Sequence, residues 1–266
     1  MKAILSVFDK SGIVDFAREL VRMNWEVLST GGTAKALRDA KVPVTEVSDY
    51  TGFPEMMEGR LKAMHPKILG GLLADRGKKS HLADAKKNKI EPIDLVVVNL
   101  YPFEETVRKK APFDETIEMI DIGGPTMLRA AAKNFKHVVV VTDPKDYPWV
   151  LESLRTGGLN VEQKKDLARK VFNRTAFYDA EIMKFLSPKL FPEKIVLPYV
   201  KKQDMRYGEN PHQQAAFYVS PEIVEPCIST AAQLQGKELS YNNIMDADAA
   251  LEIVKEFSGP TAAVIK

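Results

Sequence analysis

Five short aliphatic runs, each separated from the next by a stretch with helical periodicity, set the fold class of this 266-residue chain. The runs cover residues 3–7, 26–29, 44–47, 95–100 and 138–142, and three of them are almost continuous Val, Leu and Ile. A strand without polar alternation is buried on both faces, which indicates a parallel sheet rather than an antiparallel one with a wet side. Helical patterns over 11–23, 33–40, 79–88, 114–120, 125–134 and 147–156 supply the crossovers that parallel neighbours require. The expectation is therefore an α/β domain, a parallel sheet with helices on both faces. Ligands in such folds sit beyond the carboxyl ends of the strands, so the loops after the runs are where chemistry is sought.

A long helical stretch, 161–186, closes this pattern, and the three prolines of 187–198 mark a linker. Beyond it lie a strand-like AAFYV at 215–219, a helix expected over 246–257 and strand character over 261–265. That part is short for a core of its own. The expected organisation is one domain over 1–190, a linker over 191–200, and an incomplete α+β segment over 201–266. The 38 Lys and Arg nearly balance 36 Asp and Glu, so no overall field favours nucleic acid or a membrane surface. Cys227, the only cysteine, excludes an intrachain disulfide, and the four histidines lack ligand spacing, so no metal site is expected. The opening MKAILSVFDK reads as a first core strand rather than a signal peptide, and no stretch approaches the ~20 apolar residues of a membrane span. A cytoplasmic setting is the simplest reading.

Five segments, the first two read together, carry the residue types that chemistry needs. SVFDKSG (6–12) and LSTGGT (28–33) each follow a run and open a helix. Hydroxyls, glycines and free N–H groups at helix starts, with Lys10 beside them, make a phosphate cradle; the plainer reading is turn and N-cap chemistry for Ser11 and Thr33. GRLKAMHPKILGG (59–71) gathers Arg60, Lys62, His65 and Lys67, suited to an anionic substrate or, more plainly, a solvated basic loop. VVVNLYPF (96–103) delivers Asn99 and Tyr101 to a strand end, where Tyr101 is either a ligand contact or a half-buried core aromatic. IDIGGPTMLRAAAKN (120–134) places Asp121 before a Gly-Gly pair, as a general base or as a charge favourable to a helix dipole. Lys133 lies about 12 Å along a straight helix from Pro125, so whether it shares a site with Asp121 stays open.

Read in order with VTEVSDYTGFPEMMEGRLKAMHP, RYGENPHQ and GKELSYNNIMDADAA, these segments resemble the bifunctional AICAR formyltransferase/IMP cyclohydrolase family over nearly the whole chain. The resemblance implies a methylglyoxal-synthase-like fold for 1–190, closing the ring of 5-formamidoimidazole-4-carboxamide ribotide (FAICAR) to IMP and water without a cofactor. It implies catalytic roles for Lys62, Tyr101, Asp121 and Lys133. The phosphate falls among Ser6, Lys10, Ser29, Thr30, Gly31, Gly32 and Thr33, with Arg60, Asn99 and Asn134 as further substrate contacts. Past the linker it implies the start of a formyltransferase domain whose co-substrate is 10-formyltetrahydrofolate, with Arg206, Tyr207 and Asn210 at AICAR-binding positions. Lys266 matches a catalytic lysine that the family follows with a histidine; no histidine follows here, and formyl transfer by this chain is not expected. A homodimer is implied as well. Two departures stand out: Phe8 where the family has Ser, and Ala63 where it has Thr. A methylglyoxal synthase, or a non-catalytic domain of that fold sensing a phosphorylated ligand, are the competing readings. NLYPF, IDIGG and the later motifs argue against the first, and the joint presence of Lys62, Tyr101 and Asp121 against the second.

Overall fold

The aliphatic runs pair in parallel, as their two-sided burial demands. In the computed structural model, which describes residues 1–187, 191–221 and 223–265, the chain divides into two compact units, Met1–Pro188 and Lys189–Lys266. The first holds strands β1 (Lys2–Val7), β2 (Glu26–Ser29), β3 (Thr45–Glu46), β4 (Leu95–Asn99) and β5 (Val139–Val141) in the order β3-β2-β1-β4-β5. Every neighbouring pair is parallel, with Leu5 opposite Ser29 and Val97, and Val7 opposite Asn99. Ala3, Ile4 and Leu5 of β1 and Leu95 to Val98 of β4 are all buried, each contributing about 1–3 kcal/mol of apolar burial according to its size.

The helices are α1 (Ile13–Arg22), α2 (Gly31–Asp39), α3 (Val47–Thr51), α4 (Pro66–Leu73), α5 (Lys79–Lys87), α6 (Phe103–Arg108), α7 (Phe113–Glu118), α8 (Gly123–Lys133), α9 (Tyr147–Arg155) and α10 (Val161–Leu186). Helix α1 buries Ile13, Phe16, Ala17 and Leu20, a stripe at helical spacing, and packs on β2, α2 and α9. Helices α4 and α10 pack on α8, which lies on β4 and β5. Right-handed crossovers running in the two directions along the sheet place α1 and α2 on one face and α4 and α8 on the other. The strand order reverses direction at β1 and β4, so the crevice of this sheet opens between their carboxyl ends.

Several boundaries differ from the sequence expectation. Strand β3 ends at Glu46, because Val47 begins α3. Helix α4 was hidden by Pro66 and the Gly70-Gly71 pair, but Pro66 occupies its first turn. A Cβ on Gly71 would stand 2.6 Å from the Glu91 carbonyl, so glycine there permits a close helix–chain approach. Helix α6 was also missed, behind Pro102.

In the second unit, β6 (Val200–Met205) pairs antiparallel with β7 (Ala215–Val219), and α11 spans Tyr241–Lys255. That helix starts earlier than expected because Ser240 and Asn243 form a capping box. Among the described residues the strand expected at 261–265 does not form, since none of them pairs with it, and Val264 is 93% exposed. Part of the expected linker, 188–190, lies outside the described residues, and 191–199 is irregular. Among the described residues no helix is long and apolar enough to cross a membrane, and no group of three His, Cys, Asp or Glu is placed to hold a metal ion.

Candidate active site

Helix α2 starts directly at the end of β2. Its N-cap, Thr30, is extended and makes no side-chain cap, while Gly31 takes a φ of 49° that favours glycine. The first amides of α2 therefore carry the partial positive charge of an uncapped helix start. Two ammonium groups converge on them. A Cβ on Gly31 would lie 3.3 Å from Lys62 Nζ, and one on Gly32 3.7 Å from Lys10 Nζ. Lys62 reaches this point by passing over Gly59, where φ is +91° and a Cβ would stand 2.6 Å from Lys62 Nζ. Glu55 is its counter-charge, 3.0 Å away.

The hydroxyls around the cradle divide by role. Ser29, fully buried, donates to the Leu5 carbonyl at 2.7 Å. Thr33 accepts from the Val7 amide and donates to the Val7 carbonyl, both at 3.0 Å. These two tie the end of β2 and the start of α2 to β1 and are spent on backbone. Ser6 and Thr30, 3.4 Å apart, are only part-buried and remain closer to solvent. Of the basic loop, Arg60 pairs with Glu118, Lys67 donates to the Thr51 carbonyl, and His65 Nδ1 accepts the Lys67 amide as the N-cap of α4. Only Lys62 of that group faces the cradle.

At the crevice, Asn99 clamps the loop after β1. Its Oδ1 accepts the amides of Phe8 (2.6 Å) and Asp9 (3.0 Å), and its Nδ2 donates to the Asp9 carbonyl at 2.8 Å. The clamp presents Phe8, whose ring meets Tyr101 edge-on at 5.6 Å; the two are 45% and 41% exposed. Asp121 lies in the turn before α8, where its Oδ1 accepts the Gly124 amide at 2.8 Å. Burial raises its carboxyl above the ordinary range, and the N–H groups of Gly124 and Tyr101 pull it partly back. The Tyr101 amide thus joins phenol and carboxylate through one residue. A Cβ on Gly124 would stand 2.5 Å from Asp121 Oδ2, so this glycine makes room for the carboxylate.

Lys133 and Asn134 do not join this group. Both are at the far end of α8, about 15 Å from its start at 1.5 Å per residue. The Asn134 amide caps α4 instead, donating to the carbonyls of Leu72 and Ala74. In the second unit, the Arg206 guanidinium lies 5.0 Å over the Tyr207 ring, and hydrogen bonds from Ser240 and Arg206 lower the Tyr207 phenol. Asn210 sits in the adjoining loop, where its amide donates to Gln213. Lys266 lies outside the described residues.

Three contributors went unnoticed in the sequence. Glu55 lies in the segment before the basic loop, but nothing in its residue type alone assigns it to Lys62. Glu104, 8% exposed, pairs with Arg174. Tyr178 donates to the Met119 carbonyl at 3.0 Å and accepts the Asp121 amide at 2.9 Å. Its spacing from Leu167 and Val171 marks a buried helix face, but nothing in the sequence assigns its hydroxyl.

Residues 131–266 match the AICARFT/IMPCHase bienzyme family, and residues 12–126 match the MGS-like domain. Over its whole length the chain is 55% identical to the bifunctional purine biosynthesis protein PurH of Halalkalibacterium halodurans, covering 53% of that protein. Against the proteins of the same name from Magnetococcus marinus and Listeria monocytogenes serotype 4b (strain CLIP80459), identity is 55% and 54%, with coverage of 52% and 53%. The chain thus spans about half the length of these curated relatives. The crystal structure of ForH superposes with a TM-score of 0.62 at 38% identity, over 70% of this chain and 96% of that one.

Proposed function

Because the chain belongs to the AICARFT/IMPCHase bienzyme family, we propose that its first unit, residues 1–190, is an IMP cyclohydrolase that closes FAICAR to IMP and water. The observation that carries this reading is the part-buried carboxylate of Asp121 at the sheet's crevice, in the same unit as a helix start flanked by two lysines. The nucleotide phosphate binds at the amides of Gly31 and Gly32 with Lys10, Thr30 and Ser6 around it. The carboxamide nitrogen attacks the formyl carbon of the same molecule, so no cofactor takes part and the enzyme's task is to fix the reactive rotamer. Asp121 accepts the proton leaving the nitrogen, and its raised basicity suits that step. Lys62 and Tyr101 polarise the formyl oxygen, which departs as water after ring closure, taking the proton held by Asp121 and the one released from the formamide nitrogen. Lys133 and Asn134 have no part in this scheme within one chain.

Residues 201–266 form the opening of a formyltransferase domain, in which Arg206, Tyr207 and Asn210 serve AICAR and 10-formyltetrahydrofolate is the formyl donor of the full-length enzyme. A cytoplasmic homodimer is the proposed form of that enzyme. Following IMP formation from FAICAR by absorbance tests the first unit. Lys62→Ala and Asp121→Asn are each expected to lower kcat by about 10²-fold or more; full activity in both refutes the assignment.

A further inference from the structure

We propose that Tyr178 is a positioning residue, whose hydroxyl fixes the direction in which Asp121 presents its carboxylate. The inference rests on the reading of Asp121 as the base. The phenol oxygen bridges two backbone groups two residues apart, donating to the Met119 carbonyl and accepting the Asp121 amide. It does for the 119–121 turn what a neighbouring strand does for an extended chain. Among the described residues this hydroxyl is the hydrogen-bond partner of both groups. The turn itself has no regular structure, since α7 ends at Glu118 and α8 begins at Gly123. The Gly124 and Tyr101 amides hold the carboxylate; Tyr178 holds the backbone from which it projects.

The phenol is itself immobile. Its ring is fully buried on α10, edge-on to Phe103 at 6.0 Å, and the Arg174 guanidinium lies 5.6 Å over it. Burial, first of all, pushes the Tyr178 hydroxyl up to about 12, so it stays a neutral donor and acceptor across the working range. The charged groups around the turn are the Glu104–Arg174 pair, facing the phenol from α6 and α10, and the exposed Arg60–Glu118 pair. No charged side chain contributes to the raised Asp121 carboxyl, so the pH response of the site reports its burial.

The test is Tyr178→Phe, with kcat and KM for FAICAR measured across pH, IMP binding by calorimetry, and Asp121→Asn alongside. Expected is a fall in kcat of at least about tenfold with KM and IMP affinity within about twofold, since only the proton-transfer geometry is lost. The acid limb of kcat moves to lower pH, because a loosened turn readmits water to the carboxylate. Phe103→Leu, which removes packing from the same ring and leaves the hydroxyl, is expected to lower Tm without moving the limb. Unchanged kcat and limb in Tyr178→Phe while Asp121→Asn is inactive overturns the inference alone. So does an equal displacement of the limb in Phe103→Leu. Full activity in Asp121→Asn overturns the reading of the base beneath it.

Discussion

Removing the Lys10 ammonium is expected to separate the proposed phosphate recognition from everything else the site does. The proposed scheme gives Lys10 no place in ring closure, yet its Nζ comes within 3.7 Å of the position a Cβ on Gly32 would fill. A phosphate seated on the first amides of α2 therefore touches it. At about 4 Å and an effective dielectric near 20, the Coulomb attraction per unit charge is about 4 kcal/mol, an upper bound. Lys10 is exposed, so solvent and side-chain entropy reduce this toward the low end of a charge-assisted hydrogen bond, about 1.5 kcal/mol. That corresponds to roughly a tenfold loss of affinity in Lys10→Ala. Calorimetric titration with IMP and with inosine, at low and physiological salt, checks the number. The loss is expected for IMP alone, and it shrinks as salt rises. Equal weakening of both ligands, or none of either, refutes a cradle at this helix start.

Ser29→Ala is expected to lower stability by about 1 kcal/mol through the lost bond to the Leu5 carbonyl, with KM unchanged, as denaturant unfolding and steady-state kinetics will record. Arg174→Met strands the Glu104 carboxylate. Since the Arg174 side chain is 33% exposed, the cost is discounted to about 2 kcal/mol, and Tm falls by roughly 4–8 °C in calorimetry. In the proposed scheme Asp121 acts deprotonated, so the acid limb of cyclisation is expected above the ordinary carboxylate range, because burial raises its carboxyl. The same shift has an opposite sign for stability: a carboxyl raised in the folded state binds its proton more tightly there. Stability is fullest below the unfolded value and declines as pH rises through the folded one. Asp121→Asn is therefore expected to gain in Tm over the parent more at pH 7 than at pH 4.

How much of this was legible in the sequence depends on the range of the interaction. Strands β1, β2, β4 and β5 announced themselves through aliphatic runs, since two-sided burial leaves a local compositional mark. Strand β3 was half lost because its apolar run continues past Glu46 while Val47 already begins α3. The lysines and glycines of the cradle stood in recognisable motifs. What the motifs could not assign was the direction of each side chain. Ser29 and Thr33 sit among the cradle residues, yet turn inward to β1, and Asn99 spends three hydrogen bonds on residues some 90 positions away. Tyr178, 57 positions from Asp121, belongs to the same class of long-range contact. The segment 261–265 shows the converse: strand character with no partner leaves an exposed, irregular chain.

The hydroxyl ties that hold the end of β2 and the start of α2 to β1 bear on how the proposed cradle moves. Thr33 binds both the amide and the carbonyl of Val7, and Ser29 the carbonyl of Leu5, so the helix start shares its fate with the central strand of the sheet. An anion site on a free loop can close around its ligand, losing part of the binding free energy to ordering. This one has little left to order. Its amides are held before the ligand arrives, and they separate from β1 only in openings that reach the sheet core, among the rarest fluctuations of a folded domain. The adjustable parts are the lysine side chains and the loop that carries Lys62.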